Sequence, residues 1–186
     1  MVYALPRGGV PVAHEVAAAL DRPLDVLVVR KLGVPFQREL AMGAIAEGDV
    51  VIRNEDVIDL ARVGEGAFQK VVEEENVELE SRLSVYRERV DAIDPAGRTA
   101  IVVDDGLATG STALAAVQVL KRRGAAAVWL AVPVAPRGTL GDLEELADRI
   151  VVLLRPRHFG AVGAWYGDFA QTSDEEVLTL LGQTRR

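Results

Sequence analysis

The sequence predicts an α/β fold in which a mostly parallel, twisted sheet is flanked by helices. Two observations carry this. First, apolar residues make up 49% of the 186-residue chain, and many fall in short runs rich in β-branched residues: Val26–Val29, Ala100–Val103, Val128–Val134 and Ile150–Leu154. Short runs bounded by turn or polar residues read as buried strands of a parallel sheet. Second, stretches with helical periodicity lie between them. Strands that alternate with helices need crossover connections and so build a parallel sheet.

The elements follow in order. Val2–Leu5 reads as a first strand, followed by a helix over Val10–Leu20 with Val10, Ala13, Ala17 and Leu20 on one face. Met42–Ala46 and Val50–Arg53 flank Glu47-Gly48-Asp49 and predict a small hairpin. Gly66–Val90 is a long charged helix whose apolar seam is Phe68, Val72, Leu79, Leu83, Tyr86 and Val90; its Glu73-Glu74-Glu75 run reads as a solvated face. Thr112–Arg123 places Leu114, Val117 and Leu120 on one face. It ends in Lys121, Arg122, Arg123 and Gly124, a helix-stop signal. Ser173-Asp174-Glu175-Glu176 opens a last helix with a capping-box pattern.

Composition sets bounds on function. The length suits one domain, residues 1–186, with a core large enough to fold without staples. There is no cysteine, which excludes disulfides, thiolate nucleophiles and Cys-ligated metal. Two histidines, His14 and His158, do not suggest a His-based metal site. A net charge of −7 argues against broad binding to nucleic acid. No apolar stretch is long enough to span a bilayer, and the start lacks the pattern of a signal peptide, so a cytoplasmic protein is expected.

The most informative segment is Ala100-Ile-Val-Val-Asp104-Asp105-Gly-Leu-Ala108-Thr109-Gly110-Ser111-Thr112. An apolar strand ends in two carboxylates, a small hydroxyl-rich loop follows, and a helix starts. Ligands of α/β sheets bind beyond the carboxyl ends of strands, where free N–H groups and the helix dipole favour an anion. Gly110 is expected to let the backbone approach a phosphate, with Ala108, Thr109, Ser111 and Thr112 around it. Asp104 and Asp105 would repel a phosphate directly; they suit sugar hydroxyls or magnesium. The segment lacks the Gly-Lys of a P-loop. A phospho-receiver domain would need an acceptor Asp ending the next strand, where Val132-Pro-Val-Ala-Pro136 stands instead.

These thirteen residues resemble the phosphoribosyl diphosphate motif of the type I phosphoribosyltransferase family. The resemblance implies a Rossmann-like core with a small hood from the C-terminal segment. It also implies transfer of ribose 5-phosphate from phosphoribosyl diphosphate to a nitrogenous base, with Mg2+ as cofactor and a homodimer as the assembly. The catalytic candidates are Arg7, Lys31, Asp104 and Asp105. Pro6-Arg7-Gly8-Gly9, between the first strand and its helix, resembles the diphosphate loop. Arg30 and Lys31, expected to end a buried strand, resemble the family's further diphosphate contacts. The irregular stretch after them, with Arg38, resembles its mobile flap. Arg155–Phe169 resembles the base-binding stretch, with Phe159 as the stacking ring and Asp168 near the metal; Trp165 and Tyr166 read as hood packing.

Two departures from the family pattern stand out. The chain begins almost on its first strand, so the segment that precedes it in most members is expected to be missing. Members acting on 6-oxopurines carry a lysine where this chain has Pro133, which argues against that acceptor. The alternative function is a non-catalytic regulator that binds phosphoribosyl diphosphate or a nucleotide.

Overall fold

A computed structural model of the chain describes residues 1–183. A five-stranded parallel sheet has the order β2 (Leu24–Val26), β1 (Val2–Ala4), β6 (Thr99–Val103), β7 (Ala127–Val134), β8 (Arg149–Leu154). Val2 sits opposite Leu24 on one side and Ile101 on the other, so the strands that open and centre the chain lie in the middle of the sheet. Helix α1 (Gly9–Leu20) buries Val10, Ala13 and Ala17 against one face; Leu20, expected on that face, is half exposed. Helix α4 (Ser111–Arg122) and the short α5 (Gly141–Leu146) cover the other face, with Val117 and Leu120 fully buried beside Val128 and Leu130.

A second, antiparallel sheet of β3 (Val29–Val34), β4 (Gln37–Ala46) and β5 (Val50–Arg53) packs against α3 (Glu65–Arg87) and α4. Here the structure corrects the sequence reading. The apolar run Val26–Val29 is divided: β2 ends at Val26, and Val29 already opens a strand of the other sheet. Arg30 and Lys31 lie inside β3, and the stretch expected to be irregular is a β-hairpin with Phe36 at its tip, 74% exposed. Alternation within β3 is hidden by Arg30, Lys31 and Gly33, which is why periodicity misses it. The run Ile150–Leu154, expected to be buried, is instead the sheet's edge as β8, and Leu153 is 74% exposed.

Helix α2 (Glu55–Leu60) is capped by Asn54, whose Oδ1 accepts from the Val57 N–H. All six predicted seam residues of the long helical stretch are buried. At its end Arg87 donates to Asp25, which is only 1% exposed, and to Glu47, tying α3 to β2 and to the β4–β5 turn. The last helix, α6 (Asp174–Gln183), opens as predicted with the Ser173 hydroxyl accepting from Glu176 N–H. No helix among the described residues is long and apolar enough to cross a membrane.

Candidate active site

Two loops, at the carboxyl ends of β1 and β6, converge with one C-terminal segment. The parallel register aligns Ala4 with Val103, so the chain leaves both strands at the same level. Leu5 N–H still bonds to the Val103 carbonyl. The turn Pro6–Gly8 then passes over the acid pair; its Pro6–Arg7 peptide is cis. A Cβ on Gly9 would lie 2.7 Å from the Val103 carbonyl and 2.9 Å from the Asp104 Cα, and one on Gly8 would occupy the place of the Asp105 carboxylate. Any side chain at either position would push the two loops apart.

Asp104 accepts from the Asp105 N–H at 2.9 Å. Burial, and then the neighbouring Asp105 carboxylate, push Asp104 up to about 8; burial also raises Asp105. Backbone N–H groups reach the acids, but among the described residues no cation pairs with either carboxylate, an arrangement suited to a ligand that brings positive charge or further donors.

Beyond the acids, Asp104–Ala113 and Val162 line a concavity at the start of α4. Thr109 Oγ1 and Ser111 Oγ are 3.1 Å apart, and the Thr139 hydroxyl bonds the Ala108 carbonyl at 3.3 Å. Ala108, Thr109 and Thr112 are exposed. The first N–H groups of an α-helix have no intrahelical acceptor, so this cup offers donors and a positive dipole end to an anion. Gly110 has φ 76°, a left-handed conformation that an L side chain adopts at a cost. A Cβ there would meet Leu143 and Thr139, both at 3.2 Å. The glycine thus shapes the turn from its inner side, where Leu143 and Thr139 close off the space a side chain would need.

The cations divide between two flanks. Arg7 and Gly8 share a cleft with Asp105, Tyr166, Asp168 and Phe169. Arg30 and Lys31 share another, between the β3–β4 hairpin and α3, with Arg38, Ser111 and Thr112. Each of the three cations expected to act at the site is already paired: Arg7 with Asp174 at 3.5 Å, Lys31 with Glu39 at 3.0 Å, Arg30 with Glu75 at 2.6 Å. Glu75, expected on a solvated face, instead reaches across to β3. Asp168 lies in the Arg7–Asp105 cleft, where it accepts from Ala170 N–H. Among the described residues no three acidic or histidine side chains converge as a metal cluster. Phe159 is half-buried, with its carbonyl accepting from Trp165 Nε1 at 2.9 Å. His158 is exposed.

The sequence reading misses three long-range partners: Tyr166, whose hydroxyl bonds the Asp105 carbonyl, Asp174 for Arg7, and Glu75 for Arg30. Only Asp174 carries a signal, as an acid opening a helix.

A sequence profile described as the phosphoribosyl transferase domain matches residues 1–160. The chain belongs to the phosphoribosyl transferase family. It is 49% identical, over all 186 of its residues, to the Mycobacterium tuberculosis protein named "Putative phosphoribosyl transferase Rv0571c", and equally so to that protein's counterpart in strain CDC 1551. The chain spans 42% of the length of these curated relatives. The crystal structure of TT1426 from Thermus thermophilus superposes with a TM-score of 0.91 at 37% identity, covering 98% of this chain and 86% of that one. In this phosphoribosyl transferase domain, then, the acid pair and the α4 cup sit at the centre of the converging loops.

Proposed function

We propose that this domain transfers ribose 5-phosphate from phosphoribosyl diphosphate to a nitrogenous base and releases diphosphate. The observation that carries the reading is the junction of acid pair, glycine turn and anion cup: Asp105 packed on Gly8, with the Ala108–Thr112 loop beside it. A ligand with a phosphate at one end, a vicinal diol in the middle and a diphosphate at the other matches that order of groups.

In this reading the 5-phosphate sits on Ala108–Thr112, and Asp104 and Asp105 accept from the ribose hydroxyls. Ionised carboxylates only accept hydrogen bonds, which selects hydroxyls over phosphates. Arg7, Gly8, Gly9, Arg30 and Lys31 face the diphosphate, and Phe159 stacks on the base. The base nitrogen donates its lone pair to the anomeric carbon while the bond from that carbon to the diphosphate oxygen breaks, its electrons leaving with the diphosphate. Glycosyl transfer of this kind passes through an oxocarbenium-like state. Arg7 and Lys31 stabilise charge that grows on the leaving group, which lowers the barrier when the interaction strengthens toward the transition state. The β3–β4 hairpin is placed to exclude water that would otherwise capture the sugar.

The residues fit a magnesium ion. Two adjacent carboxylates are raised by burial, and Asp104 further by its neighbour's charge, so a cation between them would be favoured; no third protein ligand converges among the described residues. Magnesium is typically held by one or two carboxylates together with substrate oxygens, so Asp104, Asp105 and Asp168 would be its protein-side partners, Asp168 through water. When bound, the ion supplies charge neutralisation for the diphosphate.

The test is diphosphate release from phosphoribosyl diphosphate and magnesium across a panel of nucleobases. Turnover with at least one base is expected. A chain that binds the donor yet releases no diphosphate with any base would support the non-catalytic regulator instead.

A further inference from the structure

Tyr166 stands outside every role assigned above, yet it holds the residue on which the three segments meet. Its hydroxyl donates to the main-chain carbonyl of Asp105, its ring packs on Phe169 with centroids 5.1 Å apart, and it is half-buried. The segment around it is fixed twice more. Val162 Cγ1 lies 2.8 Å from where a Cβ of Gly106 would be, and a Cβ on Gly163 would lie 2.6 Å from the Phe169 ring. Residues 162–169 thus grip two successive residues of the acid loop, Gly106 through Val162 and Asp105 through Tyr166.

Asp105 needs such a grip. It follows the end of β6, outside the strand ladder, and its carboxylate packs directly over Gly8. Its N–H is used by Asp104 and its carbonyl by Tyr166. Those two bonds fix the peptide planes on either side of its Cα, and with them the direction of its side chain. We propose that Tyr166 is a positioning residue for the donor site, orienting the Asp105 carboxylate toward the ribose hydroxyls through the Asp105 carbonyl. The same C-terminal segment carries Phe159, so the acceptor end and the donor end of the site are joined by one short stretch of chain. This proposal rests on the donor reading given above.

Tyr166→Phe removes one hydroxyl and keeps the ring on Phe169. A net hydrogen bond is worth about 1 kcal/mol, so affinity for ribose 5-phosphate, which carries the diol, should fall about fivefold by calorimetry. Affinity for inorganic phosphate, which needs only the α4 cup, should stay within about twofold. Trp165→Phe removes a neighbouring hydrogen bond of the same segment, to Phe159, and should change neither. If the parent binds neither ligand, the donor reading itself fails. If the parent binds both and Tyr166→Phe leaves ribose 5-phosphate unchanged, the donor reading stands and the tether is overturned. Equal loss of both ligands, or an equal loss in Trp165→Phe, would mean general loosening of the segment and would also overturn it.

Discussion

Asp104→Asn should make the ligand-free protein more stable, increasingly so as pH rises from 4 to 8. Burial and the Asp105 carboxylate raise Asp104 from 3.8 to about 8. Below pH 4 the group is protonated in both folded and unfolded chains and contributes nothing. Between pH 4 and pH 8 the folded chain retains a proton that the unfolded chain releases, so stability falls as pH rises. Above pH 8 the penalty is complete. Asparagine resembles the protonated acid and keeps an oxygen for the Asp105 N–H. One pKa unit corresponds to about 1.4 kcal/mol. Asp104→Asn is expected to recover at least that much. For a chain of this size that is a gain of about 3–5 °C in melting temperature. Calorimetric melts of parent and variant from pH 4 to pH 9, without ligand, provide the assay. The difference should start near zero at pH 4 and reach its plateau by pH 8 to 9. A pH-independent difference, or a variant less stable than the parent at pH 8, would refute the argument that the acid pair is an uncompensated, strained arrangement kept for a ligand.

Other substitutions probe other links. Gly110→Ala must adopt φ 76° against Leu143 and Thr139; urea unfolding should show a loss of about 1–2 kcal/mol. Arg87→Met strands the buried Asp25 carboxylate and Glu47. Removing one partner of such a group costs about 3–5 kcal/mol, read as a lowered denaturation midpoint, and an unchanged midpoint would show the cluster to be dispensable. Lys31→Ala should lower turnover at saturation about 100- to 1000-fold, as loss of one stabilising donor does, with a smaller change in donor affinity. A loss confined to affinity would take Lys31 out of the leaving-group role.

Much of the parallel sheet is legible in the sequence because its inner strands, buried on one face and at least half-buried on the other, read as uninterrupted apolar runs, as at Ala100–Val103 and Val128–Val134. The long helix is legible through its seam from Phe68 to Val90. The β3–β4 hairpin is not: Arg30, Lys31 and Gly33 interrupt its alternation, and Val26–Val29 looks continuous although the chain changes sheets within it. The edge position of β8 cannot be read either, since Val151 and Leu153 are as apolar as any central strand. At the site, the segment from Asp104 to Thr112 is readable because strand, acids, small residues and helix lie consecutively. Tyr166, Asp174 and Glu75 act across 61, 167 and 45 residues of chain. Such pairings are set by tertiary packing and leave no local pattern.

The central claim is that Asp104 and Asp105 hold the sugar of a phosphoribosyl ligand whose phosphate lies in the α4 cup. Titration calorimetry of phosphoribosyl diphosphate with magnesium, on the parent and on the variant carrying both Asp104→Asn and Asp105→Asn, tests it most directly. Hydrogen bonds to charged groups contribute about 1.5–3 kcal/mol each, so the double variant should bind at least about 100-fold more weakly while melting no lower than the parent at pH 8. Equal affinity in the two proteins would contradict the account, because the ligand would then bind without the acids at which the site's loops converge.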